Sequence, residues 1–152
     1  MELNYSIELE KIYACMGESK IMALATSGQN YPTVRMMSCI IYQGNIIFQT
    51  GTDLLKYKQI IENNNVALCV DTIQIAGIAT ILGKTKDTGN QEIMERYKAY
   101  YKSSYETYSH HEKEVLIEVM PRQIVRWDYD NGKPYRIFID LPQGTAYKAM
   151  YL

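Results

Sequence analysis

Hydrophobic positions along this chain change period several times, and each change predicts an element. From residue 7 to residue 16, Leu9, Ile12, Tyr13 and Met16 recur at helical spacing. Ser6 can cap that helix, Glu8 and Glu10 suit its first turn, and Gly17 can end it. Residues 20–26 then read as a strand, closed by a turn over Ser27, Gly28, Gln29 and Asn30. Residues 31–42 and 45–50 make a hairpin around Gln43-Gly44. Asp53 stands where a cap is wanted for a helix ending near Asn63, with Leu54, Leu55, Ile60 and Ile61 apolar. A second pair of strands, 66–70 and 73–84, turns at Asp71-Thr72. Asn90 or Thr88 can cap a helix over 91–102, where Ile93, Met94, Tyr97 and Tyr101 share a face. Residues 114–120, 123–129 and 135–139 are late strands, the last two joined at residues 130–133. Strands dominate, neighbours are hairpin-linked, and helices fall between the pairs. That order opposes a parallel sheet and predicts a mainly β fold, an antiparallel barrel with helices at its ends.

Composition narrows the picture. A chain of 152 residues is one domain's worth, read here as a single domain over 1–152. The net charge of −1 and the lack of a basic block leave nothing to neutralise a polyanion, so no nucleic acid is expected. The longest apolar runs, such as 36–42, are too short to cross a bilayer, and the acidic, polar start lacks a signal-peptide pattern. The expected location is the cytoplasm. Cys15, Cys39 and Cys69 have no C-x-x-C spacing and are expected to be reduced and structural, Cys39 and Cys69 within apolar strand patterns. Fourteen Tyr against two Phe suit interfaces and half-buried positions, which is compatible with a dimer.

One constellation carries chemistry. Arg35-Met36-Met37 lies in one apolar strand, Gln49-Thr50 ends the next, and Lys56 opens the following helix. A strand–strand–helix unit thus delivers two cations and a hydroxyl toward one pocket. The first turn of a helix adds free backbone N–H groups and the positive end of the dipole. Phosphate uses all of these together, because Arg and Lys make charge-assisted hydrogen bonds to it. Arg35 as a solvated strand residue and Lys56 as an ordinary first-turn lysine form the plainer alternative.

At these residues the chain resembles the pyridoxamine 5′-phosphate oxidase-related family of FMN-binding split barrels. The resemblance rests on Met22-Ala23-Leu24-Ala25-Thr26-Ser27, Pro32-Thr33-Val34-Arg35-Met36-Met37, Ile47-Phe48-Gln49-Thr50, and Lys56 with Ile60 and Asn63. It runs over about 22–84 and returns weakly over 121–136. It implies a split β-barrel, a homodimer with the cofactor at the subunit interface, and FMN as that cofactor. Arg35 and Lys56 would grip the phosphate with Thr50 as a hydroxyl donor, and Gln49 would be a further cofactor-binding residue. The backbone of Met36, Met37 and Ser38 would lie along the ring, and Trp127 would contact it from a partner subunit. The Met side chains themselves read as core packing, and Trp127 reads equally as a buried structural residue.

Departures from the oxidase pattern matter too. Ile40 stands where the oxidase has a Lys, Leu55 where it has an Arg, and Ile78 where a flavin-contacting Gln falls. Tyr135-Arg136-Ile137-Phe138 offers an Arg without the His of the substrate grip. A phosphate-bearing substrate is therefore not expected. The expected activity is reduction of a small acceptor, a nitro compound or a quinone, with electrons from a nicotinamide donor. The alternatives are a flavin store or redox sensor without turnover, and a haem or deazaflavin binder in the same cleft. No catalytic residue is singled out. His110-His111-Glu112 reads as a solvated loop rather than a metal site. The Tyr97, Tyr100, Tyr101, Tyr105 and Tyr108 cluster can line a pocket or form a packing face that extends into a surface loop.

Overall fold

The structure is a computed structural model and describes residues 1–151. Its elements are β1 (Glu2–Leu3), α1 (Tyr5–Met16), β2 (Ser19–Gly28), β3 (Tyr31–Tyr42), β4 (Asn45–Gly51), α2 (Leu55–Glu62), β5 (Asn65–Val70), β6 (Ile73–Lys84), a 3₁₀ turn (Thr88–Asn90), α3 (Gln91–Tyr100), α4 (Lys102–Tyr108), β7 (Glu114–Asp130), β8 (Lys133–Asp140) and β9 (Thr145–Met150). All pairings are antiparallel. The order β7-β4-β3-β2-β5-β6 closes on itself through β6–β7, giving a six-stranded barrel, and β8, β9 and β1 extend the sheet from β7.

Tight turns set the register. Gln29-Asn30, Gln43-Gly44 and Asn131-Gly132 each have two residues at positive φ, the geometry whose twist matches that of the flanking strands. Inside the barrel, Met22, Leu24, Phe48, Leu68, Ile75 and Ile117 pack with Ile12 and Met16 of α1 and Ile60 of α2. Outside it, Ile40, Ile47 and Leu116 pack against Met94 and Tyr97 of α3. Strand β4 is therefore covered on both faces, and six of its residues in a row, Ile46 to Gly51, are buried.

Several local expectations need correction. Asn4, not Ser6, caps α1, accepting from Ile7 N at 3.0 Å, while Gly17 ends the helix as expected. Asp53 does not cap α2; Leu54 occupies that position and offers no side-chain acceptor. Asn90 occupies the N-cap position of α3, as one alternative had it, but makes no side-chain capping bond. Asn90 instead donates to Leu82 O and Lys84 O, tying the turn back to β6. The segment after Tyr101 is helix α4, not a loop. The two strands expected at 114–120 and 123–129 are one, β7. Its register slips at Pro121, so that Gly77 faces Pro121, Ala76 faces Gln123 and Arg122 is left over. Proline has no N–H to give a ladder, and a bulge lets the strand continue past it. Cys39 is buried, but Cys69 is exposed on the barrel's outside rather than in the core.

Candidate functional site

The barrel is split between β3 and β4. The two strands pair only at Ile40↔Ile47, Ile41↔Ile46 and Tyr42↔Asn45. Beyond Ile47, β4 continues against β7, from Phe48↔Ile117 to Gly51↔Glu114, and leaves β3 behind. The edge of β3 before Ile40 consequently has no strand partner on that side, although backbone N–H and C=O groups require partners.

A pocket of about 480 Å³ fills this split. Met36, Met37 and Ser38 line it from the free edge of β3, Gln49 and Thr50 from the end of β4, and Lys56 from the first turn of α2. Six of the eight residues expected from the sequence thus meet in one place. The wall opposite is made by Tyr97, Ser104 and Tyr108 of α3 and α4, and Glu114 of β7 completes the floor.

Polar atoms in the pocket are short of partners. Gln49 is 6% and Thr50 2% exposed, yet Gln49 Nε2 and Thr50 Oγ1 are buried with no hydrogen-bond partner. Native structures rarely leave such groups unpaired. Gln49 Oε1 is engaged, accepting from Ser109 Oγ at 2.6 Å, so the amide is oriented by its other end. The head of α2 adds to the deficit. Leu54 N reaches Gly51 O and Lys58 N reaches Leu54 O, but the N–H groups of Leu55, Lys56 and Tyr57 have no acceptor among the described residues. Burial and the nearby charge of Arg35 lower the Lys56 pKa, and Glu114 opposes this.

Arg35 itself does not line the pocket. Its guanidinium lies behind α2, donating to Leu24 O and Thr26 Oγ1 from Nη1 and to Thr33 Oγ1 from Nη2. Burial lowers its pKa. Trp127 is also apart within the protomer. It lies near the far end of β7, paired in register with Arg136, whose guanidinium sits 5.2 Å from the indole centroid.

Sequence reasoning missed Glu114, Ser109 and Ser104; of the tyrosine cluster offered as a pocket lining, Tyr97 and Tyr108 line this pocket. A signal existed for Glu114, since one carboxylate heads the otherwise apolar run Val115-Leu116-Ile117. His110-His111-Glu112 forms no metal cluster, and none of three or more ligating residues occurs among the described residues. Glu112 instead pairs with Lys84 and Lys86, and His110 packs edge-on against Tyr105. Burial pushes the Cys39 thiol up to about 12, in keeping with an inert core cysteine. No helix is long and apolar enough to cross a membrane among the described residues.

Comparison with known proteins bears on the same segment. The family model described as pyridoxamine 5′-phosphate oxidase matches residues 9–128. Among solved structures, General Stress Protein 26 from Bacillus anthracis is similar over 88% of this chain and 98% of its own, at 18% identity and a TM-score of 0.67. PhzG from Burkholderia lata, in complex with tetrahydrophenazine-1-carboxylic acid, is similar over 97% and 92%, at 15% identity and a TM-score of 0.68. HutZ, a haem storage protein from Vibrio cholerae, is similar over 82% and 95%, at 13% identity and a TM-score of 0.64. No curated protein matches the sequence. At such identities the solved structures bear on the fold alone.

Proposed function

Since the chain belongs to the pyridoxamine 5′-phosphate oxidase family, we propose that it is a cytoplasmic FMN-binding oxidoreductase that reduces a small flat acceptor, such as a nitro compound or quinone, with electrons from a nicotinamide donor. The observation that carries this reading is the set of unpartnered donors in the split. Thr50 Oγ1, the amide of Gln49, the head of α2 and the ammonium of Lys56 all border one pocket. A phosphate satisfies such a set, because a helix N-terminus with an adjacent cation favours a dianion. A flat heterocycle with carbonyl and ring-nitrogen acceptors satisfies the free edge of β3.

In this reading Lys56 and Thr50 contact the phosphate, while Arg35 contributes charge from behind α2. The backbone of Met36, Met37 and Ser38 meets the polar edge of the ring. Tyr97, Ser104 and Tyr108 shape the wall. Bound there, the flavin would supply hydride transfer, leaving the protein to bind, orient and exclude water. That division of labour accounts for a pocket without an evident acid–base pair.

The proposal includes a homodimer. Beside the pocket, the outer faces of β2, β3, β5 and β6 expose Ile21, Val34 and Met36 at 56%, 68% and 62%. Val34 joins Ala23, Ala25, Ala67 and Ala76 in an apolar, shallowly concave surface, and Met36, paired with Ala23, continues it toward the pocket. A contiguous apolar patch of this kind marks an association site, and a second copy seated there would close the mouth of the pocket near Met36. Trp127 would then be available to a site across the interface.

Protein purified without added cofactor should carry flavin absorption bands, and anaerobic NADH or NADPH should bleach them. A Soret band would favour haem, and a colourless protein that ignores added FMN would defeat the reading. Flavin bands that neither nucleotide bleaches would leave a flavin store or sensor.

A further inference from the structure

Glu114 is the one component of the pocket that works against an anion. It is the first residue of β7, registered opposite Gly51, and only 7% exposed. Its carboxylate borders the same pocket as Lys56 and Thr50, with no hydrogen bond or ion pair among the described residues. Space around it is tight. A Cβ added at Gly51 would sit 3.3 Å from Glu114 Oε1 and 2.7 Å from Asp53 Oδ1, so two carboxylates converge on the end of β4. The titratable groups facing Glu114 are Lys56 from α2, Asp53 from the turn before it, His111 from the loop before β7 and Tyr97 from α3.

We propose that Glu114 selects the charge state in which this pocket accepts a phosphate-bearing ligand, taking up one proton when the phosphate binds and then donating a hydrogen bond to it. This rests on the FMN reading above. The physical reason is the choice open to the carboxylate. Ionised, it would face a dianion across the pocket and offset part of the attraction that Lys56 and the head of α2 supply. Protonated, it becomes a donor, and the pocket's deficit of acceptors is met by the phosphate. The resting protein already leans this way: burial raises the Glu114 pKa, Asp53 adds to the rise, and His111 and Lys56 oppose it. An incoming phosphate raises it further. Between the free and bound values the complex holds one more proton than the free protein, so affinity is highest below the free value and falls as pH rises through the window.

The test compares FMN and riboflavin titrations of the parent and of Glu114→Gln between about pH 7 and pH 9, where the FMN phosphate stays dianionic. The carboxamide imitates the protonated acid. FMN affinity of the parent should fall more steeply than that of the variant, by up to about a further tenfold per pH unit within the window, and the variant should bind more tightly at the alkaline end; loss of the Lys56 proton affects both alike. Riboflavin should show no such difference. Parallel pH profiles of parent and variant would overturn the proposal while leaving the FMN reading intact. Equal affinity of the parent for FMN and riboflavin would instead remove the phosphate site itself. Calorimetry of the parent at several pH values across the range, each in two buffers of different ionisation enthalpy, provides a check that needs no variant. Net uptake of protons supports the proposal, and none refutes it.

Discussion

Arg35 and Gln59 hold the same two hydroxyls from opposite sides. Thr26 and Thr33 both donate to Gln59 Oε1, at 2.6 Å each, while Arg35 donates to both hydroxyl oxygens. Gln59 Nε2 goes on to Tyr31 O at 3.0 Å. The arginine therefore fixes which way the two hydroxyls point, and they in turn fasten α2 across the β2–β3 hairpin. Lys56 rides on that helix, three residues before Gln59.

This relationship separates the two cations. Lys56→Ala should weaken FMN binding by roughly ten- to a hundredfold, the loss of one charge-assisted bond of about 1.5–3 kcal/mol, with little change in stability. Arg35→Ala should weaken FMN less, since its guanidinium does not line the pocket, and should lower unfolding stability by about 1–3 kcal/mol, because Thr26, Thr33 and α2 lose their anchor. Riboflavin affinity should hardly move in Lys56→Ala. Fluorescence titration with both flavins, beside urea unfolding of the cofactor-free proteins, checks both. If the two variants retain the parent's FMN affinity, neither cation serves the phosphate.

How far the sequence foretold this site depends on the kind of signal involved. Hairpin turns announce themselves through two-residue chemistry, as at Gln43-Gly44, and so the strand pairs and the pocket's β3, β4 and α2 contributions were legible. What Arg35 touches was not, because alternation puts it on the α2 side of β3, opposite Met36, and only the packed helix reveals the hydroxyls waiting there. Asp53 looks like a cap because Asp caps helices locally, yet the chain enters α2 one residue later, at Leu54. Pro121 reads as the end of a strand and proved a bulge within one, since the cost of a missing N–H is met by a tertiary device. Strand β9 carries Tyr147 and Lys148 within a short, half-exposed run, and its pairing with β8 and β1 is a long-range fact. The wall of Tyr97, Ser104 and Tyr108 is of the same kind, because its residues come from two helices that meet only in the fold.

The bulge leaves no room for a side chain at Gly77 without a local shift. A Cβ there would stand 2.7 Å from both Met120 O and Val119 Cγ1, one of them backbone and unable to yield cheaply. Gly77→Ala should destabilise the protein by about 1–3 kcal/mol, the usual range for overpacking. For a chain of this length that is a fall in melting temperature of about 2–4 °C per kcal/mol. Gly89, whose added Cβ would meet nothing within 4 Å, is the control, and Gly89→Ala should leave the melting temperature within a degree or so. An unchanged Gly77→Ala melting curve would mean that the β6–β7 register differs from the one described.

The apolar outer face and the cysteines test each other. Val34 is 68% exposed at the centre of the proposed dimer surface, and Cys69 shares that surface. A charge at Val34 would have to be buried unpaired in a dimer, at a cost of several kcal/mol, so Val34→Asp should give a monomer by light scattering at micromolar concentration. Thiol labelling reports the same event independently. Cys15 is exposed and should react in both proteins, whereas Cys39 is buried with its pKa pushed up to about 12 and should stay silent until unfolding. Cys69 should be slow in the parent, where a second copy covers it, and fast in Val34→Asp. A parent whose Cys69 reacts as quickly as Cys15 has that face open to water. The pocket in the split would then have to hold its ligand with one chain, without the partner that the exposed Val34 and Met36 are proposed to meet.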